Sequence, residues 1–363
     1  MTVSLLFAGG GTGGHVFPLL AVAQAVRGLR DDVAITFVGT ARGMESRILG
    51  QLGERLELMD ILPIKGGGAK GAAKGVIRAA GSIPDAARLV RRISPQAVLS
   101  IGGYAAGPVA LAAKLAGIPL ALLEPNSVLG LANLIVAPIV DRAYLAFPNR
   151  SWWGRKSAER LLGVPLRTGF SPREYQPSPD EFRVLVLGGS QGAVTLNRNV
   201  PEAIGILRTR TSIPVRVVHQ SGRDRVQEVR NAYEARGSAE NVDVVDFIDD
   251  VPESIAWADL VIQRAGAGAV AEVSAIGRAS LFVPYPFAAG NHQVENARAM
   301  EKAGAAVCVS SHDATGDVLA VQLERFASDI DLRQRMAGAA RRRGRPGAAV
   351  DISRDLLELA EVD

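Results

Sequence analysis

Runs of Val, Ile and Leu recur at residues 3–8, 34–39, 97–101 and 119–123, with helically spaced apolar residues between them. Continuous apolar runs predict strands buried on both faces, and their alternation with helices predicts a parallel α/β sheet. The rhythm restarts at 182–187 and continues through 215–218, 242–247, 260–262 and 279–284. Two doubly wound domains in tandem are expected. Between the two series, residues 163–169 and the Pro-rich 171–179 have little helical periodicity and read as a hinge. Residues 340–347 break a helix ahead of a last helical stretch, 348–359, expected to pack back on the first domain. The predicted domains are therefore 1–166 with 346–363, and 167–345.

Composition narrows the class. The 363 residues are 48% hydrophobic and 21% charged, which excludes a disordered chain and suits two globular cores. The longest uncharged apolar stretch, 127–140, is shorter than the ~18 residues that cross a bilayer. A single cysteine, Cys308, and an N-terminus without a basic secretory start suit a reducing cytoplasm. The net charge of +4 is uneven, because residues 1–166 carry 18 basic against 10 acidic side chains.

Glycine clusters follow four of the predicted strands, at 9–14, 102–107, 188–192 and 264–268. In doubly wound folds such loops let a ligand approach the backbone and reach helix N-termini that favour phosphate. Two loops from each domain, facing one another, predict a cleft for phosphorylated ligands. Residues 9–14 satisfy G-x-G-x-x-G, yet a nicotinamide or flavin site also wants an acid at the end of the second strand. That strand ends FVGTAR, with no acid before Glu45, and no glycine loop carries the Lys-Ser or Lys-Thr of a P-loop.

Six segments occur in one order: GGGTGGHVFP at 9–18, IGGYAAGP at 101–108, EPNSVLGLAN at 124–133, GGSQGAVTLN at 188–197, FIDD at 247–250 and NHQVENA at 291–297. Together they resemble the MurG family, transferases that carry N-acetylglucosamine from its UDP donor to lipid I, the undecaprenyl-pyrophosphoryl-N-acetylmuramyl-pentapeptide, to give lipid II in peptidoglycan synthesis. The resemblance implies the GT-B architecture, two Rossmann-like domains facing a cleft, with acceptor in the first and donor in the second. It implies no cofactor and no metal. The acceptor hydroxyl attacks C1 of the donor sugar, UDP departs, and the linkage inverts.

For the base the resemblance points to His15, since a neutral imidazole takes a proton near pH 7. Thr12, Gly13, Gly14, Gly103, Tyr104, Glu124 and Asn126 fall on the acceptor or phosphate side, with Pro125 where glutamine is usual. Arg167, Ser190 and the helix start at Ala267, Gly268 and Ala269 meet the leaving diphosphate. That loop lacks the usual serine and threonine, and Val164 stands for a usual asparagine. Glu272 would hold the ribose hydroxyls, Ile248 the uracil, and His292 and Gln293 the sugar. Phe247 beside Ile248 also reads as ordinary core, and the acids Asp249 and Asp250 as caps of a short helix. His219, His312 and Cys308 read as structural.

A polyprenyl acceptor implies a peripheral enzyme on the cytoplasmic face of the bacterial membrane. Residues 65–92 carry Lys65, Lys70, Lys74, Arg78, Arg88, Arg91 and Arg92 against Asp85, with apolar neighbours, as a patch for anionic lipid would. No aromatic residues interleave with it for nucleic-acid stacking. Trp152 and Trp153 read as a docking point or a cover for the hinge. Other cell-wall synthesis and division proteins are possible partners under this reading. The alternatives are a related GT-B enzyme with another sugar or a diacylglycerol acceptor, and a non-catalytic nucleotide-sugar-binding scaffold.

Overall fold

The computed structural model describes residues 2–11, 13–41, 43–61, 81–103, 105–148 and 153–361. Thr12, Tyr104, Trp152 and residues 65–80 of the basic segment lie outside the described residues. Two compact units are present, Met1–Thr168 with Gly347–Asp363, and Gly169–Pro346. The boundary falls two residues beyond the one expected at 166, so Arg167 groups with the first unit.

The first unit holds a seven-stranded parallel sheet. Its strands are β1 (Val3–Gly9), β2 (Val33–Thr40), β3 (Leu56–Met59), β4 (Ala97–Gly102), β5 (Leu120–Glu124), β6 (Arg142–Leu145) and β7 (Glu159–Leu161), in the order β3-β2-β1-β4-β5-β6-β7. Alternate residues of β1 serve opposite faces, as the two-residue strand period requires. Leu5 and Phe7 join the core formed by the helix Gly13–Leu29, whereas Leu6 and Ala8 join the one under the helices Ile83–Ile93 and Ala106–Leu115. The last helix, Ala348–Ala360, adds Ile352 and Leu356 to the first of these cores. Its Asp355 accepts from the Tyr144 hydroxyl at 2.8 Å, and the Ser353 hydroxyl donates to the Val22 carbonyl at 3.2 Å.

The second unit holds β8 (Phe182–Leu187), β9 (Val215–Gln220), β10 (Val242–Val245), β11 (Leu260–Gln263), β12 (Ala279–Phe282) and β13 (Ala306–Cys308), ordered β10-β9-β8-β11-β12-β13. The helix Ile330–Arg343 runs through Ala340, so the expected break begins only at Gly344. At the amino end of this sheet, Asp259 is fully buried. It accepts from the Arg183 backbone and guanidinium at 2.8 and 3.1 Å and from the Tyr175 hydroxyl at 2.9 Å, with Arg333 at 3.6 Å. Arg278 beside it donates to the carbonyls of Arg173, Glu174 and Ala256 and stacks over the Tyr175 ring. Residues 173–175, expected in the hinge, are thereby tied to the second domain.

Candidate functional site

In each sheet the chain reverses its winding between two central strands, β1 and β4 in the first and β8 and β11 in the second. Ligands of doubly wound folds bind beyond the carboxyl ends of the strands at this point. The four glycine loops leave those four strands. In the first domain the two loops touch: Gly103 has φ +90°, and a Cβ there would lie 2.7 Å from the Gly10 carbonyl oxygen. Only glycine satisfies both the left-handed backbone and that approach.

Gly13 and Gly14 open the helix that carries His15. His15 Nδ1 lies 2.8 Å from the Gly10 carbonyl oxygen. A carbonyl only accepts, so Nδ1 carries the hydrogen, and in the neutral ring Nε2 is the lone-pair nitrogen. The loop therefore selects the tautomer a general base at Nε2 requires.

Glu124 is almost fully buried, and its donors all belong to its own loop and the helix after it. It accepts from the Asn126 backbone at 3.0 Å, the Asn126 amide at 3.2 Å, the Gly130 backbone at 2.9 Å and the Asn133 amide at 2.9 Å. The carboxylate expected to line the acceptor side is an organiser of residues 124–133, and Asn126 is the half-buried side chain it holds. Pro125 is buried within the turn.

In the second domain the helix Ala267–Ile276 starts after Gly266, which offers no side-chain cap. Its first N–H groups and dipole thus suit an anion without the missing hydroxyls. Ala267, Gly268 and Ala269 form this first turn, and Glu272 follows Gly268 by four residues on the same face. Ser190 is exposed in the β8 loop. Gln293 accepts from the Tyr285 backbone at 2.9 Å, tying residues 285–291 to the helix His292–Lys302 that begins at His292. Asn291 occupies the cap position at φ +55° without a capping side-chain bond. Arg167 is exposed in the linker.

Two expectations at the FIDD segment change. β10 ends at Val245, and after it Ile248 is 8% exposed whereas Phe247 is 58% exposed. Phe247 is not core; it faces solvent, and Ile248 is the buried residue of the pair. Asp250 alone of the acid pair caps the helix Val251–Trp257, accepting from Glu253 N at 3.0 Å.

Sequence reasoning missed Arg264 and Glu45. Arg264 reaches from the β11 loop to the carbonyls of Val283 and Pro284 and to the Ser311 hydroxyl at 2.7 Å, joining three loops; burial pushes its guanidinium down from the usual range. Glu45 holds the first glycine loop. Neither has a local signal, since their partners lie on other elements. Among the described residues, no group of three or more His, Cys, Asp or Glu side chains is placed to hold a metal.

His219, in β9 beneath the Ser190 loop, is fully buried. The Asn197 amide NH2 donates to the Ser221 carbonyl, so its oxygen, 3.2 Å away, accepts from Nε2–H, and Nδ1 accepts from the Tyr233 hydroxyl at 3.0 Å. Burial pushes the imidazole down to about 3. Unfolded histidine takes its proton near 6.5, so stability falls as pH drops from about 6.5 towards 3, by up to about 1.4 kcal/mol per pH unit. Urea midpoints measured from pH 7 to 4 should fall less steeply in His219→Gln than in the wild type; parallel profiles would exclude this origin.

Two doubly wound domains with paired glycine loops at their switch points define a nucleotide-sugar enzyme of the GT-B class. The chain belongs to glycosyltransferase family 28: the family's N-terminal domain matches residues 5–145 and its C-terminal domain residues 183–352. It is 52% identical, over 99% of its length and 89% of the relative's, to the UDP-N-acetylglucosamine–N-acetylmuramyl-(pentapeptide) pyrophosphoryl-undecaprenol N-acetylglucosamine transferase of Sorangium cellulosum. The enzyme of that name from Syntrophus aciditrophicus is 39% identical over 97% of both chains. Among solved structures, MurG of Acinetobacter baumannii superposes with a TM-score of 0.82 at 30% identity, covering 99% of this chain and all of the other.

Proposed function

We propose that this chain is an inverting transferase that moves N-acetylglucosamine from UDP-N-acetylglucosamine to the C4 hydroxyl of N-acetylmuramic acid in lipid I, forming lipid II. The observation that carries the mechanism is the His15–Gly10 bond, which holds Nδ1 protonated and Nε2 as the acceptor. His15 Nε2 takes the hydroxyl proton as the oxygen attacks C1. The donor's C1–O bond to the β-phosphate breaks, and its electrons leave with UDP. The N–H groups and dipole at Ala267–Ala269 stabilise the charge that develops there. Ser190 and Arg167 add contacts to the diphosphate, the loop at Ile248 meets the uracil, and His292 and Gln293 meet the sugar. Gly103 and Asn126 complete the acceptor side.

Glu272 accepts both ribose hydroxyls in this reading. Two hydrogen bonds to a charged group, each of about 1.5 kcal/mol or more, predict that Glu272→Ala raises the KM for UDP-N-acetylglucosamine by about 100-fold, with a smaller change in kcat. An unchanged donor KM would remove Glu272 from the site.

The lipid acceptor places the reaction at the cytoplasmic face of the bacterial membrane. No described helix is long and apolar enough to cross a bilayer, which fits peripheral docking. Of the basic segment, the described helix Ile83–Ile93 contributes Arg88, Arg91 and Arg92. Arg92 pairs with Glu57 at 2.9 Å and Arg88 with Asp85 at 3.0 Å. These exposed pairs are weak enough to exchange for lipid phosphate.

A further inference from the structure

Glu45, the second residue of the helix Met44–Gln51, is 1% exposed, and donors surround its carboxylate. Thr40 donates its backbone N–H at 2.7 Å and its hydroxyl at 2.9 Å to Oε1, while Gly11 donates its N–H at 2.7 Å to Oε2. An ionised carboxylate accepts at both oxygens; a protonated one would set its hydrogen against these donors. Three glycines enclose it: a Cβ at Gly10, Gly39 or Gly43 would come within 2.2, 2.3 or 2.1 Å of its atoms. Three positions of the chain are thus kept bare to admit one acid.

The Gly11 N–H and the Gly10 carbonyl belong to the same peptide group, and no described peptide is cis. In a trans peptide these two dipoles point in opposite directions. Glu45 therefore binds one end of the group and His15 Nδ1–H the other. A carboxylate on the N–H draws electron density onto the carbonyl oxygen, since linked hydrogen bonds polarise one another. The stronger acceptor holds the His15 hydrogen at Nδ1 and makes Nε2 more basic, as a buried carboxylate behind an imidazole does directly in hydrolase triads.

We propose that Glu45 is a positioning residue for His15, acting through the single Gly10–Gly11 peptide. It fixes the tautomer and orientation of the ring and raises the affinity of Nε2 for a proton. Among the described residues, few charged groups belong to the elements around the ring; on its own helix the charged residue besides His15 is Arg27. β1, β2 and β4 carry no titratable side chain. On the helix Met44–Gln51 the other charged residue is Arg47. On the helix Ala348–Ala360, Asp351 pairs with Arg354 and Asp355 with Arg142, while Glu358 lies further from the His15 end. Among the described residues, His15 forms no ion pair.

The kinetic consequence rests on His15 being the base, so the decisive readout is spectroscopic. The full-length chain has four histidines, and His15→Gln assigns the His15 resonances by difference. In Glu45→Gln the midpoint at which the His15 ring titrates should fall. The turnover number should drop by about 10- to 100-fold, with the acidic limb of its pH profile displaced by the same interval. UDP affinity, which the proposed function assigns largely to groups of the other domain, should not change. A His15 midpoint equal to that of the wild type would overturn the relay, whatever the loss of activity. If Glu45→Gln does not fold, the wild type still decides: the Gly11 amide proton should move downfield with the His15 midpoint, and a Gly11 resonance that ignores His15 overturns the proposal. Full turnover in His15→Ala would instead remove the general-base reading and leave the titration result standing.

Discussion

His15→Ala should lower kcat by about 10²- to 10⁴-fold, the range a positioned general base supplies, while UDP binding stays at its wild-type value. The split follows from where the groups sit. His15 stands at the entrance of the first domain's helix, bonded to its own loop, and the groups assigned to UDP belong largely to the second domain. The loss should appear in kcat and kcat/KM together, because the proton is shared only in the transition state. His15→Asn keeps a donor for the Gly10 carbonyl and loses the base, so it should be as inactive as alanine with a loop better preserved. A variant with near-normal turnover would make His15 a loop anchor and nothing more.

Asp259→Ala should destabilise the second domain by about 3–5 kcal/mol, the cost of leaving a buried charge without its partner. Three groups converge on this carboxylate from different segments: Arg183 at the start of β8, Tyr175 in the chain after the linker, and Arg333 in the helix Ile330–Arg343. Arg333 lies over the Phe182 ring and is almost wholly buried, so it gains no water when Asp259 is removed. The Tyr175 hydroxyl is held well above its ordinary range by burial first and by the Asp259 charge second, and it too loses its acceptor. Urea unfolding of the variant should show an earlier transition, and residues near 173–175 should become open to proteolysis. A shift below about 1 kcal/mol would mean that the guanidinium groups find other acceptors.

These two residues show unequal legibility. His15 was readable because its loop is written contiguously in the chain, glycines and imidazole together. The central strands were readable for the same reason, since β1, β4, β8 and β11 are mainly apolar runs, interrupted only by Ser4, Ser100, Arg183 and the terminal Gln263. Strands β3, β6, β7 and β13 were not. They are three or four residues long, and three of them interleave charge, as in Leu-Glu-Leu-Met and Arg-Ala-Tyr-Leu, which suits strands near a sheet's edge. Asp259 and Glu45 could not be found by pattern, because each owes its role to partners brought from elsewhere by the fold. In the sequence Glu45 stands only as an acid placed too late for a ribose. The structure turns that acid inward onto the glycine loop. The donors that hold Glu124 were equally hidden, since they lie up to nine residues away.

The central claim is the reaction itself. The measurement that tests it is transfer of labelled N-acetylglucosamine from its UDP donor to a short-chain lipid I analogue, with UDP-glucose and diacylglycerol offered in parallel. A β-1,4-linked disaccharide formed from the first pair alone is the predicted result. Transfer to diacylglycerol, equal use of UDP-glucose, or binding of UDP with no transfer at all would contradict it.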